Sequence, residues 1–235
     1  YDTRPAATGA TATYQLINIS PAGLISYSST GSIAGGTAPL NTWTHIAVSR
    51  QGTNTKLFLN GVQSGSTYVD SVNYVVGANR PIIGTDGNSP LSAGYSFIGY
   101  ISNLAVRKGQ ALYTSNFTVS STPPVPTFVT GLLTANSGSF IDKSPNALVL
   151  TTTGTPKPTM FGPLSPSAIT TNVGYFSTFF SAASLTTPGS ALLNIGTNDF
   201  TIEMWYYMTA TGSYSTLLNL GAYNTGILMR IDTST

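Results

Sequence analysis

The chain has 235 residues, of which 7% are charged, and its net charge is only +2. A protein that binds duplex nucleic acid concentrates Lys and Arg on one face, and the nine basic residues here are few and scattered. The absence of cysteine excludes disulfides, thiol nucleophiles and thiolate metal sites. Runs of aromatic and β-branched residues separated by Gly, Pro, Ser and Thr indicate an all-β protein.

Three features of the sequence bear on membrane insertion, completeness and compartment. No stretch approaches the roughly 18 consecutive apolar residues of a membrane span, and the start lacks a signal-like pattern, so we expect no membrane insertion. The chain begins with Tyr1 and stops at Thr235 directly after a strand-like pattern, so we expect a fragment of a longer protein. A cysteine-free domain that relies on core burial alone favours a virion or an extracellular or cell-surface location.

In chain order, the first strong pattern is a β-hairpin at residues 41–65. Two segments of alternating residues are joined by a polar turn, and the second segment is closed by Asn60-Gly61. Asn-Gly tolerates positive φ at both central positions of a tight turn, which makes it a strong hairpin signal. Shorter strands are predicted before it at residues 13–20 and 23–29.

Further strands are predicted along the rest of the chain. In the first half they are residues 68–76, 81–84 and 95–106, with a glycine-rich loop at 85–94. Successive prolines at 121–127 predict an extended linker, because proline donates no ladder hydrogen bond. In the second half the strand-like segments are residues 132–144, 147–153, 174–181 and 199–208.

Three of these segments carry a family resemblance. The hairpin, read as W-x-H-I-A-V-x-R and then K-L-F-L-N-G-V, resembles the signature hairpin of laminin G-like domains in the concanavalin A-like jelly-roll superfamily. Residues 99–117 resemble the last core strand of such a domain and its exit. Residues 199–208, with F-T-I-E-x-W, resemble a strand of its N-terminal half. The resemblance implies an all-β, two-sheet antiparallel β-sandwich.

The matching pieces occur in permuted order. Residues 1–120 resemble the C-terminal half of a laminin G-like domain, 121–127 form the linker, and 128–235 resemble the N-terminal half of the following repeat. The halves either close on each other as one permuted domain or are each completed by a neighbouring copy. Internal closure predicts that residues 200–208 lie beside residues 97–106 in one sheet.

Catalytic chemistry finds little support in the sequence. Retaining glycosidases of this superfamily need two carboxylates about 5–5.5 Å apart. Glu203 is the only glutamate, and its same-face neighbours are Thr201 and Trp205. His45 is the only histidine, which excludes a multi-histidine metal site and favours a packing or capping role. We therefore expect a protein that is not an enzyme, with no cofactor.

Two sets of residues are candidates for ligand binding. Asp86 and Asn88 in the glycine-rich loop are calcium candidates, because some laminin G-like domains bind calcium through loop oxygens. They fall short of the 6–8 oxygens that calcium takes, and such a sequence is more often only a turn. The candidates for stacking on sugar rings are the tyrosines near turns: Tyr68, Tyr74, Tyr95 and Tyr223. Trp43 and Trp205 lie in strand motifs and are predicted to be core packing residues.

The resemblance implies a non-enzymatic recognition or structural module. The composition, with few charged residues and no cysteine, is similar to that of tandem laminin G-like domains in phage fibres and virion proteins. The leading hypothesis is therefore recognition of surface glycans. The alternative is a purely architectural repeat that links copies in a fibre, filament or capsid decoration. The expected partners are neighbouring copies of the same protein and a surface glycan, with no nucleic acid.

Overall fold

The computed structural model describes residues 16–19, 24–28, 32–37, 39–74, 81–85, 96–164, 176–210, 214–220 and 228–232. The strands are β1 Leu16–Ile19, β2 Leu24–Ser28, β3 Ser32–Thr37, β4 Thr44–Gln51, β5 Asn54–Leu59, β6 Val62–Gln63, β7 Tyr68–Val69, β8 Ile82–Ile83, β9 Ile98–Lys108, β10 Thr130–Thr134, β11 Thr151–Thr153, β12 Lys157–Thr159, β13 Ser177–Phe180, β14 Ser184–Thr186, β15 Phe200–Ala210, β16 Tyr214–Asn219 and β17 Leu228–Asp232. A 3-10 helix spans Ala191–Leu193. Within these ranges, no helix has the length and apolar character needed to cross a membrane.

The strands form two sheets that pack face to face. The first has the order β11-β14-β8-β16-β17-β1-β2-β3, and the second has the order β12-β13-β9-β15-β4-β5-β6, with β10 beside β9 and β7 beside β5. The paired strands are antiparallel apart from β1 and β17, which run parallel. The predicted all-β, two-sheet sandwich is therefore confirmed, with one parallel pair in a largely antiparallel structure.

Strand β15 lies at the centre of the second sheet, between β4 and β9. Opposite Glu203 are Ala47 on β4 and Ala105 on β9. Alternate residues of β15, from Phe200 to Met208, are fully buried between the sheets, as the period of two requires. Strands from both halves of the sequence thus share this sheet, which is the pairing that closure within one chain requires.

The hairpin of β4 and β5 forms as predicted. Ala47 faces Phe58 and Ser49 faces Lys56 across the pair. Asn60 and Gly61, between β5 and β6, have φ values of 48° and 82°. Positive φ at both positions is the geometry that the Asn-Gly signal predicts.

A buried arginine ties the hairpin to the loops at one end of the sandwich. Arg50 is fully buried and donates hydrogen bonds to the carbonyl oxygens of Val72 at 2.8 Å, Gly196 at 2.7 Å and Asn198 at 2.7 and 3.1 Å. Its Nη1 lies 3.6 Å from Oδ1 of Asp70, whose side chain is also fully buried. A fixed charge is tolerated here because the guanidinium is paired and hydrogen-bonded.

Aromatic rings enclose this ion pair. The guanidinium carbon of Arg50 lies 5.0 Å from the ring centroids of both Tyr74 and Phe200. The Tyr74 hydroxyl donates to Asp70 at 2.7 Å and is 2.7 Å from the Tyr27 hydroxyl. The pKa of the Tyr27 hydroxyl is raised well above its ordinary value. Burial is the largest cause, and electrostatic repulsion from Tyr74 and Asp70 adds to it. Tyr74 therefore belongs to the core network.

A second buried carboxylate organises the loop after β10. Asp142 accepts hydrogen bonds from the backbone N–H groups of Leu133 at 3.0 Å, Ser144 at 2.8 Å and Leu148 at 2.9 Å. It also accepts from the Ser144 hydroxyl at 2.8 Å. One side chain thus satisfies backbone donors on both sides of the loop, which would otherwise be buried without partners.

Candidate functional site

The candidate site lies on the outer face of the second sheet, which is the face turned away from the core. On β15 the residues between the core positions point to this face: Thr201, Glu203, Trp205 and Tyr207. They stand beside outward residues of β4 and β9, so this face brings together side chains from three strands.

Residues 110–125, which we call the strap, run across this face after β9. The Leu112 N–H donates to the Thr201 hydroxyl at 2.8 Å, and the Lys56 ammonium donates to the Thr114 carbonyl oxygen at 2.6 Å. Further along, the Phe117 N–H donates to the Gly61 carbonyl oxygen at 2.8 Å. The strap is therefore anchored successively on β15, on β5 and on the turn that follows β5.

Packing also fixes the strap. The rings of Tyr113 and Phe117 stack with their centroids 3.6 Å apart, and Phe117 meets Phe58 of the sheet edge-on at 5.4 Å. Gly61 makes this approach possible, because a Cβ at that position would collide with the Phe117 carbonyl oxygen. The glycine of the predicted turn thus has a second role, as the seat of the strap.

Glu203 is the centre of a buried polar cluster beneath the strap. Its Oε2 accepts a hydrogen bond from the Tyr113 hydroxyl at 2.5 Å and lies 3.4 Å from His45 Nε2, and its Oε1 lies 3.6 Å from Arg107 Nε. Burial raises the pKa of the Glu203 carboxyl, but the hydrogen bonds from His45 and Tyr113 and the charge of Arg107 outweigh it, so the pKa is lowered overall. Glu203 is therefore ionised at neutral pH.

This cluster predicts an acid-sensitive contribution to stability. Because the folded-state pKa of Glu203 is depressed, its stabilising effect should be fully present above the ordinary value of 4.5 and lost as pH falls through the lower folded-state pKa. We expect the difference in unfolding free energy between wild type and Glu203→Gln to shrink as pH falls below 4.5. Urea unfolding at a series of pH values measures it, and a difference independent of pH would contradict the assignment.

A cavity of about 260 Å³ lies between the cluster and the strap. The sheet contributes His45, Asn103, Arg107, Glu203 and Trp205 to its lining, and the strap contributes the remaining lining residues. Three buried polar atoms of these residues have no hydrogen-bond partner: His45 Nδ1, Asn103 Oδ1 and Arg107 Nε. Buried polar atoms are rarely left unpaired, so their concentration on residues that line one cavity marks this part of the outer face as a candidate site, although the three atoms themselves are buried.

An aromatic cluster adjoins the cavity on the same face. It consists of Trp43, Tyr100, Phe161, Phe179 and Tyr207. Phe161 lies 5.3 Å from Trp43, 4.8 Å from Tyr100 and 5.0 Å from Tyr207, between ring centroids, and remains 40% exposed. Trp43 directly precedes β4 and is two residues from His45, and Tyr207 is two residues from Trp205 on β15, so the cluster adjoins the cavity lining.

The structure corrects the assignment of the two tryptophans. Trp43 and Trp205 are only partly buried and lie outside the core between the sheets. On β15 the parity of the strand decides this, because Met204 and Tyr206 occupy the core side and leave Trp205 on the face of Glu203. Trp205 is two residues from Glu203, so both side chains point to the same face of the strand. This spacing was the signal in the sequence that Trp205 lies outside the core.

The predicted ligand-binding residues do not meet in one place. Tyr74 is 2% exposed and cannot serve as a stacking platform, so its prediction is wrong; its ring fills space around Arg50. Tyr68 is half-buried and lies 6.4 Å from Tyr27, outside the aromatic cluster. Asp86, Asn88, Tyr95 and Tyr223 lie outside the described residues. In the described parts of the chain, no three His, Asp or Glu side chains are grouped in a way that could hold a metal ion.

Comparison with known proteins gives one match. Residues 10–120 match a laminin G family model described as the Concanavalin A-like lectin/glucanases superfamily. Searches of curated proteins and of solved structures found no match. The matched segment contains strands β1 to β9, including the hairpin and the long strand beside β15. The fold is thus an all-β, two-sheet sandwich of the concanavalin A-like type, and residues 10–120 are similar in sequence to its laminin G-like branch.

Proposed function

We propose that this chain is a non-enzymatic carbohydrate-recognition module that binds glycans on the outer face of the second sheet. The observation that carries the proposal is the aromatic cluster. Its rings are packed side by side yet remain partly exposed, and Phe161 presents 40% of its surface. Exposed aromatic faces suit the apolar faces of sugar rings.

Two further observations support recognition over hydrolysis. The description of the superfamily that residues 10–120 match names lectins as well as glucanases. Glu203 is the one carboxylate among the described residues that line the cavity, whereas glycoside hydrolysis by acid and nucleophile, or acid and base, uses a pair. A general acid must carry a proton, whereas the partners of Glu203 lower its pKa and keep it ionised.

The proposal extends to the setting of the module. We place it in a virion or at a cell surface, as one of several tandem copies in a phage fibre or adhesin. In this view the two halves of the chain close as one permuted domain, which is supported by the insertion of β15 between β4 and β9. Neighbouring copies of the same protein are then its structural partners.

An architectural role is the second candidate, and exposed apolar side chains outside the aromatic cluster favour it. Phe128 is 94% exposed, Val125 74% and Val69 71%. Side chains of this kind are common at contacts between proteins. In that case the module would link copies, and the outer face would be covered by its neighbours.

The test is a glycan array followed by calorimetry with the best ligand, in buffer with calcium and again with EDTA. We expect Trp43→Ala and Phe161→Ala to weaken binding about tenfold each, since an aromatic contact contributes ~0.5–1.5 kcal/mol beyond its buried area. The matched control is Val69→Ala, which truncates an exposed side chain outside the cluster. Absence of glycan binding, together with self-association that Phe128→Ser abolishes, would favour the architectural role.

A further inference from the structure

The two halves of the strap are held in different ways. Residues 110–117 are hydrogen-bonded in turn to β15, to β5 and to the turn that follows β5. Among the described residues, none outside residues 118–125 forms a hydrogen bond with that segment, whose internal bonds join only Ser120 and Thr122. The hydrogen-bonded attachment of the strap therefore ends at Phe117.

The chain is fixed again just beyond this segment, by a tight turn. The Thr130 N–H donates to the Thr127 carbonyl oxygen at 2.9 Å, and the Thr127 N–H donates to the Thr130 hydroxyl at 2.9 Å. The Arg107 guanidinium donates to the same hydroxyl at 3.0 Å, which ties the turn to β9. Residues 118–125 thus span the distance between two fixed points, Phe117 and Thr127.

The same span forms one wall of the cavity of about 260 Å³. Its residues in the cavity lining are Val119, Ser120, Thr122, Pro123, Pro124 and Val125. Val119, Pro123 and Pro124 are half-buried and the rest of the span is exposed, so apolar contacts alone hold this wall in place. On the sheet side of the cavity, Asn103 is 2% exposed and Glu203 6%, so a ligand reaches them only if the wall moves.

Proline makes the second part of the span stiff. The rings of Pro123, Pro124 and Pro126 fix φ at their own positions and restrict the residue before each of them. Backbone rotation is therefore concentrated in residues 118–121 and at the junction with Thr127. A stiff segment between two joints moves as a unit, which is the behaviour of a hinged loop.

Moving the second half of the strap costs much less than moving the first. Lifting residues 110–117 would break their hydrogen bonds to the sheet and separate the stacked rings of Tyr113 and Phe117 from Phe58. Lifting residues 118–125 breaks no hydrogen bond to the sheet and exposes parts of three half-buried side chains. Local opening is easiest where the fewest buried contacts and hydrogen bonds are lost.

We propose that residues 118–125 form a lid, which opens about Phe117 and Thr127 while the sheet and the first half of the strap stay folded. The lid thereby controls access to the cavity. This inference goes beyond the proposed function and does not depend on it, because the lid opens in the protein without any ligand.

The test uses single cysteines as probes, because the chain has none of its own. Asn103→Cys places a thiol in the sheet wall of the cavity, and Leu104→Cys, at the next residue of β9, places one in the core between the sheets. Reaction of each thiol with DTNB is followed in urea below the unfolding transition, and its rate is divided by the rate in the unfolded chain.

A second pair of variants repeats the comparison on β4. His45→Cys probes the cavity and Ile46→Cys probes the core. This pair is needed because Asn103 has a φ of 54°, which cysteine adopts only with strain. A cavity variant that fails to fold on one strand therefore leaves the other to decide.

We expect the cavity thiol to react roughly 100-fold faster than the core thiol or more, at a rate nearly independent of urea, because lid opening exposes little surface. The core thiol should react only through global unfolding, so its rate should rise steeply with urea. Val119→Ser, which weakens an apolar contact of the lid, should speed the cavity thiol about fivefold. Thr118→Ser, at an exposed lid residue outside the cavity lining, should leave that rate unchanged.

Two results would overturn the lid. If cavity and core thiols react at equal rates with the same dependence on urea, the cavity opens only when the whole protein unfolds. If the cavity thiol reacts fast but Val119→Ser does not change its rate, the opening lies elsewhere in the structure. Neither result involves a glycan, so failure of the lid and failure of the proposed function are read from separate experiments.

Discussion

Replacing Arg50 with methionine should lower the free energy of unfolding by about 3–5 kcal/mol, the range for removing one member of a buried ion pair. The substitution keeps much of the side-chain volume but leaves Asp70 buried without its cation. It also removes the donors to the carbonyl oxygens of Val72, Gly196 and Asn198. These three carbonyls belong to loops that the guanidinium holds against the end of β4.

Urea unfolding of Arg50→Met measures this effect, with Lys56→Met as the matched control. Lys56, on the neighbouring strand, makes one exposed hydrogen bond to the Thr114 carbonyl oxygen, so its removal should cost less than about 1 kcal/mol. Combining Arg50→Met with Asp70→Asn should recover part of the loss, because the unpaired charge is removed. A loss for Arg50→Met no greater than for the control would refute the role of the buried pair.

Replacing Asp142 with alanine should be the second most damaging change, at about 3–4 kcal/mol. A hydrogen bond to a charged group contributes ~1.5–3 kcal/mol, and Asp142 accepts from three backbone donors and one hydroxyl that act as a unit rather than additively. Without it, the N–H groups of Leu133, Ser144 and Leu148 have no acceptor in the loop. Thermal and urea unfolding report the loss.

Asp199→Ala is the matched control for Asp142→Ala. Asp199 also accepts a backbone hydrogen bond, from the Gly52 N–H at 2.7 Å, but at an exposed site where water can replace it. We expect it to cost about 0.5–1 kcal/mol. If Asp142→Ala and Asp199→Ala lowered the free energy of unfolding equally, the number and burial of the hydrogen-bond donors would not explain the loss of stability.

The elements that were predictable from sequence are those specified by local chemistry. The hairpin follows from two alternating segments and from the Asn60-Gly61 turn, whose positive φ values need a residue pair of that kind. The long strand β15 follows from a period of two sustained through Phe200–Ala210. Both signals lie within a few residues of one another and do not depend on the rest of the fold.

The candidate site was not predictable in the same way. Tyr113 and Glu203 are 90 positions apart in sequence, and their hydrogen bond exists only because the strap crosses the sheet. Prolines 123 and 124 predicted a linker, yet they line the cavity, since an extended segment without ladder donors can also lie flat on a sheet. The lone carboxylate was recognised, but its partners were not.

The strap also limits how the glycan of the proposed function could lie on the outer face. The strap crosses β15 at Thr201. A glycan lying along the outer face from Tyr207 past Trp205 would therefore be blocked by the strap just beyond Glu203. A site closed at one end accepts a terminus and rejects the interior of a long chain. Branching of a polysaccharide would then increase the number of modules bound, whereas lengthening its branches would not.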